Sequence, residues 1–153
     1  GLRNLHDLEA LRGQSKHYSI SSDLRGWSGE FDLPRPLPVT LEPNGRHAFV
    51  LPMCAEPEHL GLELIVQVVV EKKESLPEIG VRFNASVACS DARATDELLF
   101  PNGPSGHHLS KYQAYNYRFD VSRIVEGWNE VVVYNEGSES DKIVSVELAV
   151  KSM

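Results

Sequence analysis

Cysteine is scarce: Cys54 and Cys89 are the only two in 153 residues. Two thiols do not build a disulfide framework, and neither lies in a Cys-x-x-Cys pair, so a cysteine zinc site is not expected. A bridge between them would add about 4 kcal/mol by restricting the unfolded chain. The expectation is instead two free, largely buried thiols, because an unpaired cysteine behaves as a small core residue. Basic charge is also in deficit, with 15 Lys and Arg against 22 Asp and Glu and a net charge of -7. A field of that sign attracts neither nucleic acid nor an anionic membrane surface. Long apolar runs are missing: residues 64–70 are interrupted by Gln67 and are far too short for a membrane-spanning helix. No Gly-x-Ser-x-Gly elbow, His-Glu-x-x-His pair or phosphate-cradling glycine loop occurs, which removes the motif-bearing hydrolase and nucleotide-binding classes.

What is present fits one domain whose folding buries roughly 70% of the unfolded surface. Helical periodicity is confined to the start, where Leu2, Leu5, Leu8 and Leu11 recur at threes before Gly13. That spacing predicts a short helical segment stopped by glycine, too short to stand alone and in need of something to pack on. Residues 1–17 are therefore read as a connector or short helix from an upstream domain, and residues 18–153 as a β-sandwich domain. The opening also reads as a fragment boundary, with a larger protein expected upstream.

Beyond Tyr18 the pattern is β. Pro34, Pro36 and Pro38 alternate through a stretch that cannot lie centrally in a sheet, since each removes a ladder donor. Pro43-Asn44-Gly45 predicts a turn with proline presetting φ and glycine taking the positive φ, followed by a strand over 46–51 that Pro52 ends. Residues 62–71 form the strongest strand, alternating first and then continuously apolar, as a strand buried on both faces does. Residues 79–87 predict the next strand, with Val81, Phe83 and Ala85 on one face. Residues 91–97 predict a loop, and 98–100 a short strand or turn. After the breaker cluster of 101–106, Tyr115, Tyr117 and Phe119 share one sheet face. Residues 120–127 predict a turn capped by Asp120 and closed by Gly127, then a strand over 129–134 and a last strand over 143–150. There Ile143 and Ser145 alternate against Val144, Val146, Leu148 and Val150. Seven or eight such strands with almost no helix predict an all-β, antiparallel sandwich or jelly roll. Parallel α/β architecture would need intervening helices that are absent.

The phrase from Phe119 through Asp120, Gly127, Trp128 and Asn129 to Val133 resembles one common in galactose-binding-like jelly-roll domains, and residues 143–150 resemble their closing strand. Residues 81–85 resemble the strand that carries their "vNG" turn, with Ala85 in place of the glycine. The resemblance covers roughly residues 61–151. It implies the fold of carbohydrate-binding modules, discoidin-like lectins and structural appendages of glycoside hydrolases, and it does not itself imply a ligand. Residues 7–18 resemble the connector after the catalytic barrel in some bacterial glycoside-hydrolase-like proteins. That implies a carboxyl-terminal domain of a larger protein acting on sugars, secreted or periplasmic if the parent is a bacterial glycoside hydrolase.

Sugar recognition needs flat apolar faces for C–H surfaces and amide, carboxylate or guanidinium groups for hydroxyls. Trp27, Tyr112 and Tyr115 are the candidate stacking rings; His107, Gln113 and Asn116 are the candidate polar partners, with His108 and Arg118 beside them. The plain alternative is that Tyr115 and Tyr117 are one sheet face, that Trp27 and Trp128 cover core edges, and that the histidines are solvated. The acids Asp96, Glu97, Asp120 and Glu147 have no catalytic context: Asp120 reads as a cap and Glu147 as an outward strand residue, so no catalytic residue is assigned. Adjacent His107 and His108 point apart and chelate poorly, and no cofactor is assigned. A structural calcium ion would draw oxygen donors from Asp23, Asp32 and Glu147, without EF-hand spacing to support it. The sequon at Asn84 falls in an expected strand and reads as incidental. The leading expectation is a non-catalytic carbohydrate-binding-like accessory domain partnered by a glycan and by its own upstream domain. The alternative is a structural or protein-interaction sandwich with no small ligand.

Overall fold

The computed structural model describes residues 16–20, 37–75, 77–88, 93–95, 99 and 111–152, and the expected amino-terminal helix, Cys89 and the 101–106 breaker cluster lie outside them. The described chain forms two antiparallel sheets. Ten strands follow in order: β1 (Lys16–Ile20), β2 (Val39–Leu41), β3 (Arg46–Met53), β4 (Leu62–Glu71), β5 (Ile79–Phe83), β6 (Ser86–Val87), β7 (Arg93–Thr95), β8 (Tyr112–Asp120), β9 (Gly127–Asn135) and β10 (Asp141–Ser152). The larger sheet runs β1-β10-β4-β8-β7, with β2 also on β10; the smaller runs β3-β9-β5-β6. Between strands, the helical structure among the described residues is limited to 3-10 turns at Glu58–Leu60 and Val121–Arg123. This is a β-sandwich.

Period-two alternation explains the layering. From the larger sheet Leu64, Val66 and Val68 of β4, Phe119 of β8, and Val146, Leu148 and Val150 of β10 point inward. They meet Phe49 and Leu51 of β3, Val81 and Phe83 of β5, and Val131 and Val133 of β9. Phe83 and Phe119 pack tilted at 51° with centroids 5.8 Å apart, joining the sheets through an aromatic pair. Tyr117 points inward as well, and its hydroxyl donates to the Ile79 carbonyl at 2.6 Å. Burial pushes its phenol well above the ordinary tyrosine range.

Several features differ from the sequence expectation. Strand β3 runs through Pro52 because β3 is an edge strand, where a missing donor breaks no central ladder. In the preceding turn Asn44 takes the positive φ of 65°. Gly45 is needed for room, since a Cβ there would lie 2.8 Å from the Glu42 carbonyl oxygen. In β10 the register shifts between Ile143 and Ser145, so Val144 is extra and Ile143 joins Val146, Leu148 and Val150 on the core face. Arg93–Thr95 is a short edge strand on β8 and not a loop. Strand β1 pairs with β10 from Lys16 onward, two residues ahead of Tyr18. Cys54 is free and exposed, not buried: β3 ends at Met53, and the next residue leaves the sheet.

The expected strand over 79–87 is in fact a hairpin, β5–β6, turning at Asn84 and Ala85 with φ of 46° and 66°. Two positive φ angles at the centre of a two-residue loop match the twist of the flanking strands. Asn84 accepts the Glu130 N–H on Oδ1 at 2.8 Å, and its Nδ2 donates to Arg123 O and Asn129 Oδ1, both at 2.8 Å. Both amide hydrogens are thus engaged inside the fold, which explains why the sequon here is a structural asparagine. Asn129, 1% exposed, holds the next turn: Oδ1 also accepts the Val125 N–H at 2.9 Å, and Nδ2 donates to Val125 O and Gly127 O, both at 2.9 Å. Two asparagines therefore tie the β5–β6 hairpin to the β8–β9 connection.

Two outcomes follow. A left-handed Ala costs about 1–2 kcal/mol and glycine returns roughly half of that as unfolded-state entropy, so Ala85→Gly should raise stability by about 0.5–1 kcal/mol in chemical denaturation. Asn129→Ala removes several buried hydrogen bonds at once and should lower stability by about 3 kcal/mol. A loss below about 1 kcal/mol would mean that the two turns are not held by that side chain.

Candidate functional site

The alternation that builds the core also sorts the expected site residues. Trp27, His107 and His108 lie outside the described residues. Tyr112 and Asn116 face outward on β8, opposite Glu71 and Gln67, whereas Gln113 and Tyr115 are on the inward side, opposite Val70 and Val68. One strand thus sends these four side chains to opposite faces of the sheet. Tyr115 is half-buried and packs on the core, and burial raises its phenol pKa. Gln113 Nε2 donates to the Thr95 and Ala114 carbonyls at 3.1 and 3.2 Å, closing the edge at β7. Asn116 Oδ1 accepts from Gln67 Nε2 at 2.8 Å, and Gln67 Oε1 accepts the Leu99 N–H at 2.9 Å.

The centre of that outward face of the larger sheet, on β4 and β10, is covered. Ile65, Gln67, Val69, Glu147 and Ala149 all point away from the inter-sheet core and yet are nearly inaccessible, Gln67 at 0% and Glu147 at 1%. Glu147 therefore faces outward from the core but not into solvent, and it accepts from Ser145 Oγ at 3.2 Å. Asp120 is the expected cap: its Oδ1 accepts the Ser122 N–H at 2.9 Å, and that contact holds its pKa below the ordinary aspartate value. Asp120 is opposite Glu63 in register and Glu147 opposite Gln67, four residues apart along β4 and on its two sides. This exceeds the roughly 5–10 Å spacing of a glycosidase carboxylate pair. Asp96 and Glu97 are outside the described residues. Among the described residues no group of three His, Cys, Asp or Glu side chains is placed to hold a metal ion.

The smaller sheet is different: its outward face is open. Strand β9 presents Trp128, Glu130, Val132 and Tyr134 outward, and Trp128 is 70% exposed rather than covering a core edge. Strand β3 presents Arg46, Ala48, Val50 and Pro52 beside it, with Val50 63% exposed. Strand β5 presents Gly80 and Arg82 on the other side. A shallow cavity of ≈ 390 Å³ lies over β9, walled by Arg46 and Arg82, floored by Val132 and Tyr134, and flanked by Glu130 and Glu136. The Tyr134 ring is laid across Gly80, its register partner, where a Cβ would overlap the ring atoms. The Arg82 guanidinium sits 5.6 Å from the ring centroid, within cation–π range.

This arrangement offers an aromatic and aliphatic floor with guanidinium donors and carboxylate acceptors around it. Those are the groups that recognise a small polar ligand with one apolar face. Sequence reasoning missed it because no motif marks it. The signal was the pairing of Gly80 with Tyr134, which only register reveals. Among the described residues, no helix is long and apolar enough to cross a membrane.

No protein-family model matches the sequence, and no curated protein matches it. Among solved structures, the fold is similar to part of a beta-porphyranase of glycoside hydrolase family 86 from the human gut bacterium Bacteroides plebeius. The TM-score is 0.50 at 13% identity, over 90% of this chain and 20% of that one. The chain thus spans about a fifth of that structure's length, and the likeness is one of fold.

The Gly80–Tyr134 contact is directly testable. Gly80→Ala should destabilise by about 1–3 kcal/mol through overpacking, and most of that loss should vanish in a Tyr134→Ala background. Additive effects in the double-mutant cycle would show that the ring does not rest on Gly80.

Proposed function

We propose that this chain is a non-catalytic, carbohydrate-binding-like accessory domain of a larger carbohydrate-active enzyme. The observation that carries the reading is the fold match over 90% of the chain to a one-fifth portion of a glycoside hydrolase family 86 enzyme. A sandwich matching a fifth of a much longer hydrolase suits an accessory module, and a secreted or periplasmic location accompanies that reading. The open cavity over Val132 and Tyr134 supports it, because a ring-bearing floor with Arg and Glu side chains around it suits a pyranose better than an apolar metabolite. Binding is expected to be weak, since the contact is small and solvated.

A second reading has its own observation. Trp128, Val50 and Val125 are 70%, 63% and 50% exposed, and such side chains suit packing on a neighbouring domain. Affinity electrophoresis through gels containing individual neutral and acidic polysaccharides separates the two. The accessory-binding reading expects retardation in at least one gel, lost in Tyr134→Ala and retained in Tyr115→Ala. No retardation in any gel, with the protein shown to be folded, favours the structural domain.

A further inference from the structure

We infer that the cavity on the smaller sheet takes an acidic sugar, a saccharide carrying a carboxylate or a sulfate ester, with its anion held between Arg46 and Arg82. The inference rests on the carbohydrate-binding reading and specifies the ligand class of that site.

The two arginines reach the cavity from opposite sides of β9: Arg46 is paired in register with Tyr134, and Arg82 with Val132. Neighbouring strands are about 4.8 Å apart, so their Cα atoms straddle β9 at roughly 10–12 Å, a span that two long side chains close around one anion. The ion pairs among the described residues involve neither guanidinium, and the recorded partner of Arg82 is the Tyr134 ring. By contrast Lys73, Lys142, Lys16 and Arg118 each face a carboxylate. Two exposed guanidinium groups that form no ion pair among the described residues thus line one cavity of a chain with net charge -7, and they balance the two glutamates that line it with them. Planar guanidinium suits carboxylate and sulfate oxygens bidentately.

The rest of the cavity limits what that anion belongs to. Val132 and Tyr134 supply a floor for the C–H face of a sugar ring. Glu130 on β9 and Glu136 just past its end accept hydroxyl hydrogens, while repelling further anions. A ligand with charge at every position, such as a nucleic acid, meets these carboxylates and the net negative field. A sugar chain bearing an isolated acidic group does not.

The test uses the purified chain and four probes in two matched pairs at about 0.15 M salt, where charges beyond about 8 Å are screened. One pair is oligogalacturonate and its neutral methyl ester; the other is carrageenan and its desulfated form. The expected result is at least about tenfold tighter binding of one or both charged forms than of the matched neutral form. Arg46→Ala and Arg82→Ala should each cost about tenfold, Arg82→Lys less, and Arg123→Ala on the 3-10 turn nothing. The pair that responds identifies carboxylate or sulfate as the recognised group. Equal binding of charged and neutral forms, or binding indifferent to both arginine variants, overturns the inference and leaves the accessory-binding reading intact. Failure of all four probes alongside retention by a neutral polysaccharide does the same. Failure with every polysaccharide overturns both.

Discussion

The inter-sheet core is the constraint from which the other features follow. Val66, Val68 and Leu148 of the larger sheet meet Phe83, Val131 and Val133 of the smaller, with all six side chains essentially inaccessible. At roughly 25 cal/mol per Å2 of apolar surface removed from water, such contacts are the main term opposing the entropy of ordering the chain. Once these residues point inward, period two dictates what points outward. On the larger sheet the outward residues include Ile65, Val69 and Ala149, and the centre of that face is covered. On the smaller sheet they include Arg46, Arg82, Glu130 and Trp128, and that face is open. The asymmetry between the two outer faces places the candidate site.

Much of this architecture was legible in the residues. The doubly apolar run of β4 announced a central strand, and the structure sets it between β10 and β8. The shared face of Tyr115, Tyr117 and Phe119 and the Asp120 cap followed from alternation and turn chemistry, whereas that this face turns inward, taking Tyr115 from the expected binding rim, did not. What the residues did not disclose were features decided by register. The bulge at Val144 exchanges faces within one strand, and nothing local in that valine-rich run marks it. The Asn84-Ala85 turn lacks the glycine that signals a two-residue hairpin. It forms because Asn84 makes hydrogen bonds to Glu130, Asn129 and Arg123 that offset the left-handed alanine. Here tertiary hydrogen bonding overrides local preference.

The same limit applies to the site. Val132, Tyr134, Arg46 and Arg82 are separated by up to 88 positions in the chain and share no motif. They meet because β3 and β5 both pair with β9. Tyr112, Gln113, Tyr115 and Asn116 are close in sequence, yet the pleat sends them to opposite faces. In a sandwich, sequence proximity is a poor guide to shared surface and cross-strand register a good one. The two asparagines that tie the turns also bear on the site, since Asn84 and Ala85 begin at the end of β5 that carries Arg82.

The central claim is that the outward face of the smaller sheet is open to solvent while its inward face is core. Trp128 reports on it directly once the other tryptophan is removed by Trp27→Phe. In that variant the account predicts red-shifted emission from Trp128 and efficient quenching by iodide. Blue-shifted emission shielded from iodide would contradict it.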